Sequence, residues 1–265
     1  MKKHIAFLFI LLALATATSI TGCGPKDNTT PSTCSNGIKD GDETGVDCGG
    51  SCTACTVAQT RIKTIISTSP INRSYDSLVY DNSGRQILTL GDTRRYEYVY
   101  KTDSVIKTYE EFNSNIWGSI SYVVNSSGLA VAAVEHINNG TVTYYQYTYD
   151  AQGYLVKEVR ASAGGSIRDT IIHNWLNGNL VSRIISYAND ISSSYDSDVD
   201  NYTYFTDKAN SISDENKGIL FLGKSSKNLL KSINPGTPGE INIFYTYDAN
   251  GRVTIEDTYM LYSYY

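Results

Sequence analysis

The residues best spaced to do chemistry are tyrosines. Tyr96, Tyr98 and Tyr100 fall at alternate positions, as do Tyr145, Tyr147 and Tyr149, then Tyr202 and Tyr204, then Tyr245 and Tyr247. Alternate side chains on a strand share one face, so adjoining strands would assemble these rings into an aromatic ladder. Packing is the first expectation for such a ladder, because cross-strand aromatic pairs stabilise a sheet without any ligand. The functional expectation is a stacking surface for sugar rings or another flat ligand, carried by Tyr96, Tyr98, Tyr100, Tyr145, Tyr147, Tyr149, Tyr245 and Tyr247.

A second concentration of reactive groups lies between residues 34 and 55. Cys34, Cys48, Cys52 and Cys55 bracket a Gly-punctuated loop with Asn36, Asp40, Asp42, Glu43 and Asp47. Hard oxygen donors on such a loop suit Ca²⁺, and Asp40, Asp42, Glu43 and Asp47 are the candidate ligands. The spacing is not that of an EF-hand, and a solvated acidic turn is the plainer expectation. An even set of thiols in an oxidising compartment forms disulfides, with three connectivities open. A tetrathiolate zinc site is the alternative, disfavoured by export.

Catalytic chemistry finds little footing. Beyond the N-terminal signal the histidines are His136 and His173, each alone in a strand-like stretch and expected as a half-buried sheet residue. No G-x-S-x-G elbow, phosphate loop or H-E-x-x-H pattern is present. The carboxylates Glu110, Glu111, Asp190, Asp196, Asp198, Asp200, Asp214 and Glu215 are scattered, and spacing alone does not bring two together as a glycosidase needs. Trp117 and Trp175 could line a sugar site, with burial in the core the first expectation.

Delivery is written at the N-terminus. Lys2 and Lys3 precede an apolar run over residues 5–15, too short to span a bilayer as a mature helix. The run leads to Ile20-Thr21-Gly22-Cys23, which resembles the lipobox of bacterial lipoproteins. The resemblance implies cleavage before Cys23 and a diacylglyceryl group on its sulfur, hence a membrane partner reached through the lipid. Residues 23–33 are polar and Pro-containing and read as a flexible tether. The cysteine segment 34–55 resembles a short motif found ahead of many different domains in Bacteroidetes surface proteins, which implies no activity. The formal charge is −5, and −7 once Lys2 and Lys3 leave with the signal, so nothing marks a nucleic-acid partner.

From residue 56 to residue 265 the pattern is strand after strand. The 22 tyrosines, against 6 Phe, 2 Trp and 2 Met, suit a β-sheet rather than a helical bundle. Strands are expected over 60–67, 74–80, 85–90, 95–101, 105–112, 116–124, 129–137, 142–149, 154–161, 167–175, 180–187, 202–206, 241–247, 252–258 and 259–264. Residues 189–201 read as an exposed Ser/Asp-rich excursion, and 211–231 as a short helix or long loop. Between strands one turn recurs: D-N-S-G at 81–84, N-S-S-G at 125–128, D-A-Q-G at 150–153 and D-A-N-G at 248–251. Its Asp or Asn can bond its own backbone, and its Gly supplies the positive φ of a bulged reversal.

The Y-x-Y-D-x-x-G core is similar to YD (RHS-type) repeats, which build long wrapped sheets. Lipobox and hairpins together resemble a family of Bacteroides-type lipoproteins with a porin-like β fold. The expected fold is therefore all-β, an antiparallel meander of YD-like hairpins forming a large curved sheet or a barrel, as one domain over 56–265. Lys157, Glu158 and Arg160 on one strand, and Glu97 and Lys101 on another, argue against a lipid-facing wall. The expected protein is a non-catalytic lipoprotein of the outer membrane, on its periplasmic face or at the cell surface. It would meet a glycan or an envelope protein on the concave face of its sheet. The rivals are a glycan hydrolase using carboxylates of 189–216 and a purely structural envelope protein.

Overall fold

The computed structural model describes residues 61–265, except residue 72 and residues 190–193. The signal, Cys23, the tether, the cysteines Cys34, Cys48, Cys52 and Cys55, and the Ca²⁺ candidates Asp40, Asp42, Glu43 and Asp47 lie outside the described residues. Among those described, no residue is helical and seventeen strands form one antiparallel sheet. They are β1 (Ile62–Thr68), β2 (Arg73–Tyr80), β3 (Gln86–Gly91), β4 (Arg94–Tyr100), β5 (Ser104–Glu111) and β6 (Ile116–Val124). Then come β7 (Ala130–Ile137), β8 (Val142–Tyr149), β9 (Leu155–Ser162), β10 (Ile167–Leu176), β11 (Asn179–Asn189) and β12 (Ser194–Ala209). β13 (Asn228–Ile233), β14 (Ile241–Asn242), β15 (Tyr245–Tyr247), β16 (Val253–Glu256) and β17 (Met260–Tyr264) complete the set.

Each strand pairs with its neighbours in sequence, and β17 pairs with β1, from Ile62 opposite Tyr264 to Ser67 opposite Met260. β14 and β15 are two halves of one crossing: the first bonds β13, the second bonds β16. The sheet is therefore a meander closed into a barrel, with the β14–β15 crossing bonded to one neighbour along each half.

The recurring turn builds one end of this barrel. In all four copies the first carboxylate or amide accepts two backbone N–H bonds: Asp81 from Ser83 and Arg85, Asn125 from Ser127 and Leu129, Asp150 from Gln152 and Tyr154, Asp248 from Asn250 and Arg252. The fourth residue, Gly in each, has φ between 72° and 86°. One residue past each turn the ladder slips by a bulge. A bulge disturbs local pairing, and an aromatic donor from the next strand takes up the carbonyl there. Tyr100 bonds Gln86 O at 2.9 Å, Trp175 Nε1 bonds Leu155 O at 2.7 Å, and Tyr264 bonds Val253 O at 2.9 Å. Tyr204 on Leu180 O and Tyr80 on Ile62 O repeat the arrangement.

At the same end, the β12–β13 connection, residues 210–227, runs across the mouth. Its carbonyls receive the amides that open strands: Asn216 O from Ile62, Gly218 O from Gln86 and Phe221 O from Ala130. It donates in turn to two hairpins, from Lys224 to Gly153 O and from Lys227 to Gly178 O. Phe221 is buried against Tyr122, Tyr100 and Tyr98, with ring centroids 4.8, 6.3 and 6.5 Å away. With Ile219, Val105, Ala130 and Ala133 these residues make the main core cluster, which sits at the floor of the barrel.

Some expectations need correction. Residues 196–199 and 201 are exposed, as expected, but 194–201 are not an excursion: they open β12, paired residue for residue with β11 from Asn201 opposite Ser182 to Ser194 opposite Asn189. Trp117 is not in the core but 57 % exposed. Of the two alternatives for 211–231, residues 211–227 take the long loop and not the helix, and 228–231 already belong to β13.

The seating of the floor predicts an asymmetry between glycines. Gly251 has φ 74° and open space where a Cβ would sit, so Gly251→Ala should cost about 1 kcal/mol for its left-handed backbone. Gly218 has φ 76°, and its Cβ would fall 2.6 Å from Gln86 N and 2.8 Å from Gly84 O. Gly218→Ala should therefore cost about 3 kcal/mol, since overpacking adds to backbone strain. Equal losses in urea denaturation would mean the segment is not seated against these strands.

Candidate functional site: the inner face of the barrel

Register assigns every strand residue a side. Tyr98, Tyr122 and Val105 touch the floor segment, so residues in phase with them face inward. Tyr96, Tyr98 and Tyr100 of β4 and Tyr145, Tyr147 and Tyr149 of β8 share that face. Tyr202 and Tyr204 of β12 and Tyr245 and Tyr247 of β15 follow the same alternation. The ladder expected from sequence exists, with Tyr145 and Tyr147 nearly parallel at 6.2 Å and 7°. Its members are not equivalent. Tyr98, Tyr100, Tyr145 and Tyr147 pack against the core cluster, and Tyr149 packs on Gly223 of the floor segment.

Higher on the wall the inner face turns from aromatic to charged. Arg94 bridges to Asp76; Arg160 binds Glu158 at 2.6 Å with Asp169 at 4.0 Å; Arg183 binds Asp200 at 2.7 Å. Glu135 is held between two tyrosines, accepting from Tyr109 at 2.8 Å and from Tyr145 at 2.6 Å. Lys107 lies over the ring of Tyr96 at 4.2 Å and near that of Tyr98 at 6.0 Å. Burial pulls its pKa below the ordinary lysine value, with Glu135 acting in the opposite direction. Of these groups the sequence singled out the tyrosines, Glu158, Arg160 and Asp200, without bringing the charges together. The signal that could have done so was parity: Lys107, Glu135, Arg160, Arg183 and Asp200 all stand in phase with inward tyrosines.

His173 also faces inward, half-buried, and its Nε2 is buried without a hydrogen-bond partner. Burial is the main influence depressing its pKa. His136 stands on the outer face, out of phase with Glu135. The scattered carboxylates do not assemble into one site: Asp200 is committed to Arg183, Asp214 to Lys217, and Glu215 to the Ser225 amide. Among the described residues no group of three His, Cys, Asp or Glu is placed to hold a metal ion.

Comparison with known proteins bears on the fold. No family model matches the chain, and no curated protein matches it either. Among solved structures, the chain is similar to a porin-like protein from Bacteroides uniformis. The TM-score is 0.58 at 14 % identity, over 80 % of this chain and 98 % of that one. What the two share is the all-β fold.

The inward tyrosines make stability depend on alkaline pH. Burial, the largest influence at each, pushes Tyr100, Tyr149 and Tyr202 up to about 12 and moves Tyr98, Tyr122 and Tyr147 higher still. The folded chain thus holds these protons more tightly than the unfolded chain, whose tyrosines titrate near 10. The associated stability is intact below about pH 10 and is lost as pH rises through the folded values. The melting temperature should fall steeply above about pH 10, with most tyrosinate absorbance appearing only as the protein unfolds. Full tyrosinate absorbance from a protein that still melts cooperatively would contradict this burial.

Proposed function

We propose that this protein is a non-catalytic, lipid-anchored component of the bacterial cell envelope that binds a glycan on the inner face of its barrel. The observation that carries the proposal is the composition of that face. Aromatic rings and paired charges line a ring of strands floored at one end by residues 210–227. At the opposite end, the turns of the described residues bond sideways to adjacent strands and turns, as Phe112 N does to Thr93 O and Asn138 N to Trp117 O. A saccharide presents apolar C–H faces and hydroxyls together, which suits rings such as Tyr96 beside Lys107 and Tyr145 beside Glu135 and Arg160. The lipobox-like Ile20-Thr21-Gly22-Cys23 supports attachment to the outer membrane through acylated Cys23.

The test is a screen of immobilised glycans with the purified chain, coupled to analysis of the glycans for cleavage. Retention of an intact glycan, weakened at least tenfold by Lys107→Met, is the expected outcome. Cleavage products would replace the proposal with the hydrolase, and capture of a protein instead of a glycan would point to a structural role.

A second reading has one specific observation in its favour. Along β6 to β12 the inner face carries Glu135, Glu158, Arg160, Asp169, Arg183 and Asp200. The outward positions of β6 to β9 carry a single Lys, Lys157. Charge turned inward is what a wall set in lipid would show. Against it, although β10, β11 and β12 have 10, 11 and 16 residues, the strands from β1 to β9 have 6 to 9, at or below the roughly 9–11 that crossing a bilayer takes. Arg95, Glu97 and Glu110 also face outward. These observations favour the reading in which the barrel stands in water and acyl chains on Cys23 enter the membrane. Cys23→Ser protein should partition into the aqueous phase of a detergent phase separation while the wild type enters the detergent phase. Detergent partitioning by both would favour the embedded wall.

A further inference from the structure

We infer a second saccharide site, on the outer wall of the barrel, built around Trp117 and selective for neutral sugars. It lies on the opposite face of the strands from the inner site and does not depend on that site's proposed role.

Trp117 projects outward from β6 and is 57 % exposed. Its cross-strand neighbours on the outer face form two rows. Arg95, Glu110 and Trp117 stand side by side across β4, β5 and β6, and Glu97, Thr108, Ser119 and His136 form the next row. Together with Asn138 they line a depression of about 780 Å³. Gly118 adds no side chain behind the indole; a Cβ there would come within 2.7 Å of the Tyr109 hydroxyl, which fills that space from inside. Asn138 is fixed beside the tryptophan, its amide bonded to Trp117 O at 2.9 Å and its side chain to Asn115 O at 2.9 Å.

Two features separate this patch from ordinary exposed surface. An indole left in water forgoes about 2 kcal/mol or more of burial, and single exposed apolar residues are common, so exposure alone says little. Here the indole coincides with a concentration of polar groups that the adjoining wall lacks. Arg95, Glu97 and Glu110 crowd around it, whereas the outward positions of β7 to β9 contribute Lys157 as their one Lys, Arg, Asp or Glu. An exposed ring beside carboxylates, an amide and hydroxyls matches a pyranose, whose C–H face stacks on the ring while its hydroxyls exchange hydrogen bonds at the edge. Charge sets the class. Arg95 is already paired with Glu97, and Glu110 leaves the patch acidic, which repels uronic and sialic acids and admits uncharged hexoses.

The experiment titrates the mature chain with neutral and acidic oligosaccharides and compares Trp117→Ala, Glu110→Ala and Lys107→Met with the wild type. Expected are binding of neutral oligosaccharides, at least a tenfold loss in Trp117→Ala with an unchanged melting temperature, and no loss at this site in Lys107→Met. Should Trp117→Ala fold poorly, Glu110→Ala, at an exposed position, should still weaken binding severalfold. Trp117→Ala binding as the wild type does, binding of acidic sugars only, or no binding of neutral sugars overturns the site. A protein partner captured through Trp117 in place of a sugar overturns it as well. Loss confined to Lys107→Met would leave the inner site standing and this one refuted; loss confined to the Trp117 and Glu110 variants would do the reverse.

Discussion

A ring of this many strand crossings is too wide for its own side chains to fill, and the rest of the structure follows from that constraint. Barrels of about eight strands close over a packed interior, whereas those of about sixteen leave a lumen. Here the chain meets the problem in two ways. At one end it inserts residues 210–227, whose Phe221 draws Tyr98, Tyr100 and Tyr122 onto a single core. Along the rest of the wall it uses long side chains that tolerate water at their tips. Tyrosine does this well, with a ring that packs on its neighbour and a hydroxyl that reaches a carbonyl or carboxylate. The lumen charges obey the same logic, since Asp76, Glu158 and Asp200 each have an arginine partner.

The abundance of tyrosine therefore has a mechanical origin before it has a functional one. Each Asp-to-Gly reversal is followed by a bulge, and bulges disturb the ladder where strands begin. Tyr80, Tyr100, Tyr204 and Tyr264 each hand a hydroxyl to a carbonyl at such a point, and Trp175 does so with its indole. Rings fixed in this way have lost their rotational freedom during folding.

How far all this could be read from the chain depends on what each signal measures. The turns were legible because the Asp or Asn and the Gly act within four residues, and Asp81, Asn125, Asp150 and Asp248 bond as local chemistry demands. Hairpin order and most strand limits came with them. The first half of β12 was not legible, for a physical reason: alternation normally marks a strand because one face is dry. Asp196, Asp198 and Asp200 alternate toward a wet, charged lumen, so the strand imitates a solvated loop. Closure was invisible for another reason. The pairing of Ile62 with Tyr264 spans almost the whole barrel domain and leaves no trace in spacing. Trp117 misled because aromatic residues usually find the core; here the core is a small patch at the floor, far along the sheet from the start of β6.

The same alternation bears on where the molecule resides. Charge turned inward is commonly taken as the mark of a lipid-facing wall, yet it follows equally from a wide lumen that must stay wet. What discriminates is the chemistry of the outward face. Ser119, Ser121, Gln146, Thr148 and Asn174 stand there among Val123, Val134, Val159 and Ile172. Hydroxyls and amides thus interrupt the outward apolar groups, Leu90, Trp117 and Tyr144 among them, and would gain little from hydrocarbon. An exterior of this kind does not require a bilayer to cover it, which supports the proposal that attachment to a membrane is made through Cys23 and not through the wall.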